Sequence, residues 1–254
     1  MQKTKLSEIS DQLSKIDIGK EPVVFMHSSL FQLGKVENGI LGIMDVIWNW
    51  LGEDSTLLMP SFSYHNIIDL PWCAKTSQGK TGLLTEYFRN MDGVVRSIHP
   101  IHSITAFGKH ADFFASEIES TSFGPRSPFA KLVEVNAMNV SLGANFIGGA
   151  TFLHFAEEFV SVPYREHVAL GVNCFDMNDK VVENEFKYFA RKRFKDQEYQ
   201  NDWTVPLQDF LEKELFTFNK IGSANLMYSR IGDTTRSLVD SLRINPFYCA
   251  EKAI

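Results

Sequence analysis

The stretch Thr151-Phe-Leu-His154-Phe-Ala-Glu157 sets an imidazole three residues ahead of a carboxylate. Phe152, Leu153, Phe155, Ala156, Phe159 and Val160 recur as the apolar face of a helix would require. His154, Glu157, Glu158 and Ser161 fall on the other side, at i, i+3, i+4 and i+7. An imidazole one turn from a carboxylate, on a rigid element, makes a general base that works near neutral pH. His154 and Glu157 are therefore the candidate catalytic pair.

Other residues offer chemistry at lower specificity. His27-Ser28-Ser29-Leu30 closes an apolar strand, and ligands collect at strand carboxyl ends in open α/β sheets. Ser97, Ser103 and Ser127 add hydroxyls in turns, where serine also occurs without any function. His99-Pro-Ile-His102 has the residue types of a metal site, but the proline opposes helical presentation and no partner ligands are evident, so no metal is expected. Gly143 to Thr151 is glycine-rich, yet Gly149 stands where a phosphate loop needs lysine. No Gly-x-Ser-x-Gly elbow is present.

The elements that must position these groups read as α/β. A helix is expected over Lys5–Lys15, a strand over Pro22–Met26, a helix from Gly39 to Leu51 capped by Gly52, and a strand over Ser55–Met59. That order is a βαβ unit and implies parallel pairing. Residues 66–80 read as a functional surface loop. Further strands are expected at Ile104–Phe107, Val140–Leu142, His167–Val172 and Val181–Tyr188. Helices are expected at Leu83–Arg89, Ala111–Ser116, Phe129–Val133 and Leu207–Leu215. No repeat or linker divides residues 1–254, which read as a single domain.

With 44% hydrophobic and 22% charged residues the chain has a globular composition, and no apolar run nears the roughly 18 residues of a membrane span. Three scattered cysteines and no secretory leader point to a reducing cytoplasm. A net charge of −6 argues against nucleic-acid binding. One basic run interrupts this acidity: Lys187, Arg191, Lys192, Arg193 and Lys195. It reads either as a solvated face or as a seat for an anionic ligand.

The motifs also form a series. His-Ser-Ser-Leu at 27–30 is followed by Met-Pro-Ser-Phe at 59–62, Thr-Gly-Leu-Leu-Thr-Glu-Tyr-Phe-Arg at 81–89 and Arg-Ser-Ile-His-Pro at 96–100. Gly-Pro-Arg-Ser-Pro at 124–128, Thr-Phe-Leu-His-Phe-Ala-Glu at 151–157 and Val162-Pro-Tyr164 complete it. The series resembles the aminoglycoside 3-N-acetyltransferase family across about residues 20–170, and more faintly at 221–224 and 243–247. The resemblance implies a three-layer α-β-α fold around a largely parallel or mixed sheet. It implies acyl transfer from an acyl-coenzyme A to a sugar amine, with His154 and Glu157 in the catalytic positions. The coenzyme would lie on His27, Ser28, Ser29, Leu30, Ser97, His99, Ser103 and Ser127.

Aminoglycosides are polycations, and the acceptor loop here is poor in carboxylates. Tyr64, Asp69 and Trp72 leave one acid among aromatic and apolar groups, and the later segment brings Arg191 and Arg193. That placement favours a nucleotide-linked amino-deoxy sugar as acceptor, its base stacked on Trp72 or Tyr64 and its pyrophosphate on the arginines. An aminoglycoside acceptor is the alternative. The sequence discloses neither the acyl chain nor the oligomeric state, homodimer included.

Overall fold

The computed structural model describes residues 3–64, 71–194 and 197–252, without the side chains of 193 and 194. Its main sheet has seven strands: Val23–Ser28 (β1), Thr56–Pro60 (β2), Val95–Arg96 (β3), Ile104–Gly108 (β4), Met138–Leu142 (β5), Phe216–Ile221 (β6) and Ala224–Arg230 (β7). They lie in the order β6-β7-β5-β1-β2-β4-β3. The central three, β5, β1 and β2, are parallel, and every pairing outward from them is antiparallel.

The central strands are buried on both faces, so successive residues serve opposite cores. In β1, Val24 and Met26 join one core while Phe25 joins the other. Residues of Leu6–Leu13, Gly39–Leu51 and Leu83–Arg89 fill the first core. Residues of Pro128–Glu134, Leu153–Phe159 and Ile231–Ile244 fill the second. The result is the three-layer α-β-α fold with a mixed sheet. Gly52 ends the long first-layer helix at φ 75, returning its N–H to the Trp48 carbonyl, as the sequence suggests.

Chain direction decides where the loops gather. The parallel strands β1, β2 and β5 all end at one edge, after Ser28, Pro60 and Leu142. Because β4 runs against β2, with Ile104 opposite Pro60, the 97–103 loop that leads into it reaches the same edge.

Later strands differ from the sequence expectation. The piece expected over Val181–Tyr188 is divided between two small sheets. Val181–Val182 pairs with Cys174–Phe175, which also pairs with Trp72–Cys73. Lys187–Arg191 pairs antiparallel with Arg165–Ala169. Lys187, Arg191 and Arg193 of the basic run thus lie on strands. The helix expected at Leu207–Leu215 spans Thr204–Glu212, where Pro206 is accommodated in the first turn.

Candidate active site

The helix Leu153–Phe159 buries Leu153, Phe155 and Ala156 and keeps His154 about one-quarter exposed, with its side chain 23% accessible. Glu157 is fully buried on the same helix. Its Oε2 meets His154 Nδ1, and its Oε1 accepts a hydrogen bond from the Tyr164 hydroxyl at 2.5 Å. Arg165 Nε stands 3.2 Å from Oε2. Burial pushes the Glu157 carboxyl up, but His154, Arg165 and Tyr164 together outweigh it and hold the carboxyl below its ordinary value. A carboxylate can only accept, so His154 Nδ1 carries a proton, and in the neutral ring Nε2 then keeps its lone pair.

Tyr164 and Arg165 reach Glu157 because the helix ends abruptly. The Val162 N–H returns to the Glu157 carbonyl at 3.1 Å and the Ser161 N–H to that of Glu158 at 3.0 Å. This is a Schellman turn, with Ser161 at φ 56 in the position glycine usually takes. Pro163 then directs the chain back over the helix. Arg165 anchors the neighbouring strand as well, donating to the Phe189 carbonyl at 3.1 Å and to Asn201 Oδ1 at 2.8 Å. Sequence reasoning missed Arg165; its signal was only its closeness to a helix end followed by proline.

The His154 ring lies between Phe123 and Trp203, with centroids 5.8 and 5.7 Å away. From Phe123 a line of aromatic contacts runs to His102 (5.1 Å), Phe62 (5.1 Å) and His27 (6.5 Å). The candidate base is therefore joined to the end of β1 across the carboxyl edge of the sheet. At that edge Ser29, Gln32, Gly143, Ala144, Asn145, Ser223 and Asn225 line a cavity of 320 Å³. A Cβ on Gly143 would stand 2.7 Å from the Ser29 carbonyl, so only glycine lets these loops meet. The Ser28 hydroxyl, in the last residue of β1, is buried with no partner among the described residues.

The other expected coenzyme residues divide. His27 is buried, which lowers its pKa to about 3. Leu30 packs into the first core, leaving its backbone as what it can offer. Ser97 accepts from the Ile104 N–H at 2.9 Å, and Ser127 caps its helix by accepting from Ala130 N–H at 3.2 Å. The Ser103 hydroxyl donates to the Ser61 carbonyl and accepts from Arg96 Nε. Arg96 itself is buried, donating to the carbonyls of Ser61, Ala74 and Ser77 and lying 4.9 Å over the Trp72 ring. His99 Nδ1 accepts the N–H groups of Ile101 and His102, and burial lowers its pKa to about 4. These side chains hold the walls of the edge together through bonds within the chain.

The model of the family described as aminoglycoside 3-N-acetyltransferase matches residues 25–243, and the chain belongs to that family. It is 26% identical to the aminoglycoside N(3')-acetyltransferase-like protein YokD of Bacillus subtilis (strain 168), over 88% of this chain and 86% of that one. It is 30% identical to aminoglycoside N(3)-acetyltransferase IV of Salmonella sp over 62% of this chain and 60% of that one. Among solved structures, a histidine-to-alanine variant of aminoglycoside acetyltransferase AAC(3)-IVa in complex with apramycin superposes with a TM-score of 0.77 at 25% identity, covering 98% of this chain and 96% of that one.

These findings correct the expected nucleotide-sugar acceptor. The family and the relatives carry aminoglycoside names, and the described residues give no support to the nucleotide reading. Trp72 is wholly buried beneath Arg96, in a small core with Ala74, Cys174 and Phe186, so neither ring face is open to a base. Arg191 is exposed at the end of its strand, opposite Arg165 in register, and Lys187 is paired with Glu185 at 3.1 Å. Asp69 and the Arg193 side chain lie outside the described residues. Tyr64 is exposed, next to Ser63, whose N–H bonds the 97–103 loop at Ile101.

Proposed function

We propose that this protein moves an acetyl group from acetyl-coenzyme A to a ring amine of an aminoglycoside, with His154 as general base. The observation that carries this is the His154–Glu157 pair, braced by Tyr164 and Arg165, with the imidazole left partly exposed. The 320 Å³ cavity and the buried, unpartnered Ser28 hydroxyl suit the polar coenzyme at the carboxyl edge. The loops around His27, Ser28, Ser29 and Leu30 would hold it there, supplying the activated acyl group.

A sugar ammonium must lose a proton before its nitrogen can attack. With that proton lost to solvent, His154 Nε2 takes the second one, which the nitrogen sheds as it bonds the acyl carbon, while Glu157 fixes the ring's tautomer and stabilises the imidazolium that forms. Holding both reactants at one edge removes the entropy loss of a bimolecular encounter. A polycation also needs carboxylates, and Glu158, beside the base, has one buried oxygen without a partner among the described residues.

The test is thiol release from acetyl-coenzyme A with kanamycin, apramycin and gentamicin as acceptors, for wild type and His154→Ala. Turnover of at least one drug is expected, with a loss of about 10²–10⁴-fold in the variant. Absence of turnover with all three, or a variant within about tenfold of wild type, defeats the reading.

A further inference from the structure

We propose that His102 is a second catalytic imidazole, whose Nε2–H donates a hydrogen bond to the thioester carbonyl oxygen as the amine attacks. This rests on the reading of His154 as base. The warrant is a chain of hydrogen bonds that favours one placement of each proton.

His99 Nδ1 accepts two backbone N–H groups, from Ile101 at 3.2 Å and His102 at 3.1 Å, so it cannot itself carry a proton. Its proton is on Nε2, which faces the Lys187 carbonyl at 3.3 Å and Ser122 Oγ at 3.4 Å. A carbonyl only accepts, which agrees. The buried Ser122 hydroxyl therefore cannot donate to His99, and it would forgo a hydrogen bond if it did not donate elsewhere. Its partner is His102 Nδ1, 2.7 Å off. With Nδ1 accepting, the His102 proton is on Nε2.

That nitrogen has no hydrogen-bond partner among the described residues, and the His102 ring is only partly buried. The ring is held by Phe62, Phe123 and Phe129, and the Phe123 ring also touches His154. The charged and titratable groups facing it are His99 from its own loop, His154 from the helix and Arg165 from the neighbouring strand. Burial first, and then these three, hold His102 well below the ordinary histidine value, so it stays an uncharged donor.

In the step proposed, the amine nitrogen bonds the carbonyl carbon and the carbonyl π pair moves to oxygen, where His102 Nε2–H meets it. His154 takes the amine's proton. The pair then returns, the carbon–sulfur bond breaks with its electrons on sulfur, and the His154 proton passes to the thiolate. Amide and free thiol result, and both imidazoles are restored. A fixed donor in a water-poor site is worth about 10²–10³ in rate.

Two measurements on the full chain decide it. Nitrogen-15 imidazole spectra near pH 7 should show the Nε2–H tautomer at His102; the Nδ1–H tautomer would overturn the proposal. In the acetyl-coenzyme A assay, His102→Gln carries an amide N–H to where Nε2 stands, whereas the shorter His102→Asn reaches only the Nδ1 position. Kcat should fall about 10²–10³-fold for the asparagine variant, with coenzyme KM nearly unchanged, and less than about tenfold for the glutamine variant. Equal losses, or an unaffected asparagine variant, would refute the donor role. His154→Ala in the same assay separates the two claims: its collapse beside an active His102→Asn sinks only this one, and an active His154→Ala sinks the base.

Discussion

Two short segments carry histidines to the same edge and treat them in opposite ways. The helix 153–159 surrounds its imidazole with an anion: Glu157 lies against Nδ1, and Tyr164 and Arg165 in turn keep that carboxyl ionised. The 97–103 loop gives its two imidazoles no carboxylate among the described residues, only backbone, a serine and aromatic rings. A positive charge is welcome on the first wall and costly on the second. In the proposed mechanism one residue type thereby serves as proton acceptor in one place and as an uncharged hydrogen-bond donor in the other, the division of labour that acid–base catalysis needs.

Glu157→Gln attacks the comparison hardest. The amide can turn its NH₂ toward Nδ1 and move the proton to Nε2, which removes the base. Turnover should fall on the order of 10²–10⁴-fold per folded molecule. Stability should fall as well, by about 3–5 kcal/mol, since Arg165 loses its buried counter-charge. A variant retaining more than about one-tenth of wild-type kcat would mean that the carboxylate does not set the tautomer.

Arg165→Met keeps the dyad but removes a charge that holds Glu157 down. With burial then less opposed, the carboxyl binds its proton more readily, and the acid limb of kcat/KM should move to higher pH. A purely structural arginine would lower activity at every pH without moving that limb.

The second wall predicts acid sensitivity. Folded-state values are about 3 for His27 and about 4 for His99, against about 6.5 in an unfolded chain. Both are depressed, so their full contribution is present above pH 6.5 and drains away as pH falls toward those folded values. Within that window each costs about 1.4 kcal/mol per pH unit. In His99→Asn the side-chain oxygen can still accept the loop N–H groups, and the slope of stability against pH should drop by about one proton. Urea midpoints at pH 5, 6 and 7 measure this; an unchanged slope would show that His99 already shares its proton in the folded state.

What the sequence disclosed follows from how far each signal reaches. The sheet core was legible because β1, β2 and β5 are short apolar runs bounded by turns, and the His154 helix because its apolar spacing is local. The Schellman turn that swings Tyr164 and Arg165 onto Glu157 was not, since Ser161 stands where glycine would have announced it. Trp72 misled because an aromatic in a polar-bounded loop looks exposed, whereas Arg96 and the pairing of 72–73 with 174–175, a hundred residues away, cover it. The relay from His99 through Ser122 to His102 joins residues twenty apart and had no local mark. The bonds of Ser97 to Ile104 and of Ser103 to Ser61 likewise had no local signal.

The smallest expected effect concerns the basic run. Arg191 ends a strand antiparallel to Arg165–Ala169 and is exposed, so two arginines oppose each other across the ladder. Arg165 is drawn inward to Glu157, the Phe189 carbonyl and Asn201, which leaves Arg191 in solvent as the compensating outward charge. A solvated arginine far from a matched anion contributes little, and Arg191→Ala should change stability by less than about 0.5 kcal/mol. For a polycationic acceptor its removal should leave acceptor KM level or slightly lower, because one repulsive charge is gone. For a polyanionic acceptor it should raise KM several-fold. Steady-state kinetics of this single variant therefore tests whether the strand repels its substrate or seats it, independently of the catalytic wall.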